Sequence, residues 1–301
     1  MNSHSHSHKI NTVTGRLLVT MILNFVITIA EVIGGIISGS LALVSDALHN
    51  FSDGISVIIS YIAVKLKRRD NSYKHTFGLK RAEILAAVIN SSVLIVISVY
   101  LFYEAVKRLT EPHEIDAGVM ILIAGIGLIA NVIGTLLLKR DSAESMNIKS
   151  SYLHLFSDTV SSVAVILGGL AIYLWNAHWL DTVLTILIGL YIIRESFIIL
   201  GEAIHVLMEG APADISIEAI QGEIEKLEGV EDVHHIHLWT VGESDVHLEA
   251  HVNVNDMMIS QSDKLRSTIE EILRGKFAVQ HTTLQFECDQ CENKELINNH
   301  K

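Results

Sequence analysis

Six stretches of about 20 or more mostly apolar residues run through the chain up to residue 207, at 16–37, 42–66, 82–108, 117–138, 150–174 and 180–207. Each is long enough to cross a bilayer as a helix, the form in which a spanning segment satisfies its own backbone. Composition agrees: the chain is 50% hydrophobic, has two prolines and a mean hydropathy of +0.40. The second stretch is the most polar, with Ser45, Asp46, His49, Asn50, Ser52, Asp53 and Ser56. Its apolar residues still recur at helical spacing. The reading is a helix with one face toward lipid or other spans and one toward a polar cavity.

Two of these stretches carry the same signature. Leu48-His49-Asn50-Phe51-Ser52-Asp53 returns as Leu153-His154-Leu155-Phe156-Ser157-Asp158. Each copy places His and Asp four residues apart, on one helix face. Ionisable groups in a span are costly and point to function. Helix packing through hydrogen bonds accounts for Ser, Thr or Asn in a span, but not for two His and two Asp in a repeated frame. Two imidazoles and two carboxylates suit tetrahedral zinc. The copies are three spans apart and so run in opposite directions, which suggests an inverted repeat. Asp46 either orients His49 or packs helices; Asn24, Glu31 and Asn131 read as packing residues.

Loop charges set the orientation. Lys65, Lys67, Arg68, Arg69, Lys74, Lys80 and Arg81 follow the second span, and Lys139, Arg140 and Lys149 the fourth. The opposite loops hold little beyond Lys107 and Arg108. Both termini are therefore expected in the cytoplasm, with Trp175 and Trp179 at the outer interface. No cleavable signal peptide is read at the start of the chain.

After Met208 the pattern changes. Helices are expected at 217–227 and 261–273, and strands at 230–241, 246–254 and 282–286. The order αββαβ predicts a small α+β domain of ferredoxin-like type. The net charge of −12 gathers here, which argues against nucleic acid as a partner. Four parts follow: a His-rich tail (1–15), six spans (16–207), a cytoplasmic metal-binding regulatory domain (208–287) and a C-terminal tail (288–301) with Cys288 and Cys291.

His234, His235, His237, His247, His251 and His281 fall on or beside the expected strands. Alternation puts His235 with His237 on one face, and His247 with Glu249 and His251. Cys288 and Cys291, the chain's two cysteines, read as reduced, metal-capable thiols. His4, His6 and His8 form a metal-catching tract, with a purification tag as the other reading. His75, His113, His178 and His205 stand alone as loop or interface residues.

The chain resembles the cation diffusion facilitator family, in its zinc/cadmium/cobalt efflux branch. The resemblance rests on residues 45–53, on Phe77-Gly78-Leu79-Lys80-Arg81-Ala82-Glu83, on His154 and Asp158, and on Val233-His234-His235-Ile236-His237-Leu238-Trp239. It implies a homodimeric secondary transporter with six spans per protomer and with His49, Asp53, His154 and Asp158 as the transport site; the loop-charge bias and the lack of an organelle signal favour the plasma membrane. It also implies a cytoplasmic metal site of His234, His251 and Glu287. In some relatives a C-x-x-C and a partner's N-terminal His/Cys segment complete a paired site, a part open here to Cys288, Cys291 and the His tract. Other relatives carry acidic and His ligands between the second and third spans; here that stretch keeps His75 only, so no metal site is expected in it.

The function expected is export of zinc, with cadmium and cobalt as near alternatives in coordination preference, in exchange for protons. Potassium stays open as a further counter-ion. Zinc is substrate and regulatory ligand, and no organic cofactor or enzymatic activity is expected. A primary pump is disfavoured because no G-x-x-x-x-G-K-[ST] loop occurs. A channel and a membrane metal sensor are the other rivals.

Overall fold

The computed structural model describes residues 22–67, 72–111, 113–139, 146–242, 245–288 and 294–297, although not every side chain within them. Eight helices are present among these residues. They are α1 (Ile22–Ser38), α2 (Leu41–Lys67), α3 (Ala82–Thr110), α4 (Ala117–Lys139), α5 (Met146–Trp175), α6 (Trp179–Leu207), α7 (Ile217–Ile224) and α8 (Ile259–Phe277). Three strands are also present among the described residues: β1 (Val230–Thr240), β2 (Val246–Val254) and β3 (Val279–Glu287). Four helices are long and apolar enough to cross a membrane by length and composition: α3, α4, the 155–175 part of α5, and α6. The described part of α1 is shorter, and α2 carries the polar face read from sequence. The chain divides into two units, 1–59 with 89–199, and 60–88 with 200–301.

In the first unit, polar side chains fix how the helices meet. Gly39, at φ +74°, ends α1 in the left-handed conformation that favours glycine. Ser40 then starts α2, its hydroxyl accepting from Leu43 N at 3.1 Å. Asp181 of α6 completes this cap: it accepts from Ser40 Oγ at 2.5 Å, Leu41 N at 2.9 Å and Ala42 N at 3.3 Å. A carboxylate at a helix N-terminus meets the unpaired N–H groups and the positive end of the dipole. Asp181 is fully buried, so this bond set holds the start of α2 to α6 out of water. Gly127 on α4 lies so near Glu31 that a Cβ there would come within 2.4 Å of Oε1. Small residues permit such approaches between spanning helices. Ile89, Val93 and Val96 form an exposed apolar stripe on α3, as a lipid-facing helix requires.

The second unit contains the β-sheet. Its order is β1-β2-β3, with β1 and β2 antiparallel and β2 and β3 parallel. Alpha-helices α7 and α8 cover one face. The core there holds Ile220 and Ile224 of α7, Ile269 and Leu273 of α8, and Val233, Ile236, Leu248, Ala250 and Val252 of the sheet. The order αββαβ is as expected. Its ends differ: α7 stops at Ile224, α8 runs from 259 to 277, and β3 begins at Val279. Ser216 caps α7 by accepting from Ala219 N at 3.1 Å. Gln261 Oε1 accepts from Met258 N at 3.0 Å, which starts α8 before its apolar periodicity does.

The loop between α2 and α3 packs on this sheet. Phe77 meets the His247 ring edge-on, with centroids 5.3 Å apart. Lys80 Nζ lies 3.1 Å from Asp245 Oδ1, and Arg81 donates to Glu209 at 2.9 Å. His247 is buried between Trp239, stacked at 5.6 Å, and His281 at 4.9 Å. Burial first, then the charges of His281 and Lys80, push the His247 pKa below its ordinary 6.5 against an opposing pull from Asp245.

Candidate metal sites

Helices α2 and α5 carry the duplicated signature. His49 of α2 is half-buried, its ring edge-on to Tyr191 of α6 with centroids 5.8 Å apart. Asp158 of α5 is buried. Asp53 and His154 stand at their expected helical positions, but their side chains lie outside the described residues. What the structure brings together around this signature is a polar layer. Ser161 of α5 donates to Asp46 Oδ1 of α2. Asn50 donates to Glu31 Oε2 at 3.1 Å, Asn90 of α3 to Ser52 at 2.9 Å, and Asn131 of α4 to Ser162 at 3.5 Å. Asp46 therefore packs α2 on α5, one of the two roles its position allowed. Glu31 and Asn131 likewise join helices.

In the second unit His234, His251 and Glu287 converge. One ligand atom from each lies within 4.8 Å of the others. His234 Nε2 is 2.9 Å from Glu287 Oε1, and His251 Nδ1 is 3.3 Å from Glu287 Oε2. Two ligands of tetrahedral zinc, each about 2.0–2.1 Å from the ion, sit about 3.3 Å apart, close to both separations. His234 is fully buried. Its Nε2 makes no hydrogen bond among the described residues despite the nearby carboxylate. Two lone-pair atoms aimed at one point leave such a gap, so the donor set fits zinc.

A bulge in β1 creates this convergence. His234 opposes His251, but His237 opposes Glu249, so β1 holds one residue more than β2 over this stretch. His235 takes it up at φ +55°. Without the slip, alternation would set Val233 and Ile236 on opposite faces. With it, both enter the core, while His234 joins His251 on the other face. The His235 ring lies 5.4 Å from that of His237 and 4.7 Å from that of His251. Cys288, exposed, follows Glu287 directly. Cys291, His4, His6 and His8 lie outside the described residues.

Sequence reasoning missed Asp232. His234 Nδ1 lies 2.6 Å from Asp232 Oδ1. Burial opposes ionisation of Asp232, but hydrogen bonds from Asn253, Lys294 and His234 outweigh it, and its pKa falls below the ordinary value. A carboxylate only accepts, so His234 Nδ1 carries the proton and Nε2 presents its lone pair. The i, i+2 spacing of Asp232 and His234 on one strand was the available signal.

Comparison with known proteins decides the family. The cation efflux transmembrane domain matches residues 17–208, and the cation efflux protein cytoplasmic domain matches 212–288. The chain belongs to the cation efflux family. As a cation efflux protein it is a multi-pass helical membrane transporter of metal cations, not an enzyme, with an α+β domain after its last span. Among similar proteins, a cadmium, cobalt and zinc/H(+)-K(+) antiporter of Bacillus velezensis is 37% identical over 287 residues, covering 94% of this chain and 91% of that protein. The metal cation efflux system protein CzcD of Cupriavidus metallidurans is 35% identical, covering 96% and 91%. The zinc transporter ZitB of Escherichia coli is 34% identical, covering 96% and 94%. The family resemblance drawn from the motifs is thus borne out.

Proposed function

We propose that this cation efflux protein is a homodimeric antiporter that exports zinc from the cytoplasm in exchange for protons, with cadmium and cobalt as further substrates. His49, Asp53, His154 and Asp158 form the transport site. The observation that carries this reading is the duplicated His/Asp signature on α2 and α5, whose helices are tied by Asp46 and Ser161. The antiporter and zinc-transporter names of relatives 34–37% identical support the substrate class.

Zinc enters from the cytoplasmic side and is held by two neutral imidazoles and two carboxylates. Formation of that ligand set releases protons. Rocking of one half against the other then opens the site outward. Protons there compete for the same ligands and help zinc leave; histidine, with a reference pKa of about 6.5, suits that exchange. Both termini lie in the cytoplasm of a cell whose plasma membrane holds the protein. His234, His251 and Glu287 bind zinc as a regulatory ligand, with Cys288 and Cys291 as further ligands. The chain parts into the His-rich tail at 1–15, the spans at 16–207, the regulatory domain at 208–287 and the tail at 288–301.

Proteoliposomes test the transport reading. An imposed pH gradient should drive zinc accumulation against its own gradient without nucleotide, and zinc should drive counter-movement of protons. A channel gives only downhill zinc flux, and a sensor gives none. Replacement of Cys288 and Cys291 by serine should leave transport largely intact and weaken zinc binding outside the spans.

A further inference from the structure

The sheet's outer edge is not bare beside the cytoplasmic centre. At the bulge, His235 N donates to Glu295 O at 3.1 Å and Ile236 N to Leu296 O at 2.9 Å. Residues 294–297 therefore add to the exposed edge of β1, where an unpaired strand would otherwise present free N–H groups. Leu296 packs against the sheet's core. Lys294 Nζ lies 3.0 Å from Asp232 Oδ2, which also accepts from Asn253 Nδ2 at 2.8 Å. The other oxygen of the same carboxylate faces His234 Nδ1. Strand β3 ends at Glu287, and Glu295 meets the sheet at His235, the residue after His234. Both ends of this return are thus fixed next to the proposed ligands.

We propose that Asp232 is a positioning residue through which docking of residues 294–297 and metal binding at His234, His251 and Glu287 strengthen each other. This rests on the reading of those three residues as a zinc centre. The physical link is short. Asp232 holds the His234 ring so that Nε2 faces the site, and Lys294 and Asn253 hold Asp232. Metal at Nε2 strengthens the Nδ1–H donor, tightens its bond to Asp232, and so steadies the carboxylate on which Lys294 docks. Residues that orient a metal-ligating histidine in this way are worth about 10–100-fold in metal affinity.

The test uses the full chain in detergent micelles, in a His49→Ala background that takes the membrane site out of the titration. Zinc binding is read by chelator competition, and hydrogen exchange is followed at the His235 and Ile236 amides. Zinc should slow exchange at both amides. Asp232→Asn should weaken zinc binding about 10–100-fold and abolish the zinc response of the two amides. Lys294→Met, which leaves the Asp232–His234 bond in place, should weaken binding less and shrink that response. Exchange at His235 and Ile236 that ignores zinc, or Asp232→Asn binding zinc as tightly as its parent, overturns the coupling. If His234→Ala removes zinc but the amides ignore it, only the coupling is wrong. If His234→Ala leaves zinc stoichiometry unchanged, the zinc centre falls and the coupling with it.

Discussion

Ser161 donates a hydrogen bond to Asp46, and this one contact ties the helix of His49 to the helix of Asp158. Asp46 lies three residues before His49 and Ser161 three after Asp158, about one helical turn in each case. The bond therefore joins α2 to α5 next to the proposed transport site, in addition to the buried apolar cluster that both helices enter through Ala42, Leu43, Val165 and Ile172.

Ser161→Ala removes the donor while leaving the buried carboxylate in place. Stability in detergent should fall by about 0.6 kcal/mol, the average for hydrogen bonds between spanning helices, and by no more than about 1.7 kcal/mol. Zinc affinity of the membrane site should fall with it, since ligand spacing loosens. Denaturant titration and zinc competition on the same preparation would expose the error if neither quantity moves.

Asp181→Ala should act at the start of α2. It strips the acceptor from Leu41 N, Ala42 N and Ser40 Oγ at once. Loss of an N-cap costs about 0.5–2 kcal/mol, and the buried N–H groups left behind add to that. Faster hydrogen exchange at Leu41 and Ala42 is the expected signature, with Asp181→Asn milder. Wild-type exchange in Asp181→Ala would show that the cap carries no energy.

The contact of Phe77 and Lys80 with the sheet should depend on pH. The pKa of His247 is held below 6.5 by burial, His281 and Lys80. The folded state thus binds that proton less readily than the unfolded state. The resulting stability is fully present above about 6.5 and is lost as pH falls from there toward the lower folded value. His247→Phe should flatten this part of the melting-temperature profile between pH 7.5 and 5.5. An unchanged slope would assign the dependence to another group.

His49→Asp should shift preference from zinc toward cadmium or manganese. A carboxylate is a harder ligand than imidazole, can bind through two oxygens, and tolerates larger ions. It also places a further acid beside Asp53 and Asp158, so the pH optimum should move through like-charge repulsion. Competition transport with the three metals reads the shift; unchanged preference together with an unchanged pH profile removes His49 from the ligand set.

The helical membrane architecture and the αββαβ order were legible because both are written in periodicity. Spans advertise themselves by apolar length, and β2 by strict alternation. The ends of α7, α8 and β3 were not, because caps and partial burial set them. Helix α8 continues past Leu273 to Phe277, which packs on the core beyond the polar Arg274, Gly275 and Lys276. Strand β3 begins at Val279 because a parallel ladder with β2 pairs Val279 with Val246, although Gln280 and His281 break the apolar pattern. The convergence of His234 and His251 was suggested by family resemblance, but its cause was hidden. Alternation assumes an even strand, and only the bulge at His235 explains how Val233 and Ile236 share the core. Asp181 was illegible because it acts on Ser40 and the start of α2, distant in the chain. Asp232 was within reach through its i, i+2 spacing from His234, but the Asn253 and Lys294 that hold it lie far along the chain.

The most direct measurement is zinc-coupled proton movement in proteoliposomes carrying equal amounts of parent, His49→Ala and Asp158→Ala protein. The two residues sit on different helices in opposite copies of the signature, so each alone should abolish both zinc uptake and the coupled proton flux while the protein still inserts and folds. Parent-level coupled flux from either variant would contradict a transport site built from the duplicated His/Asp pairs.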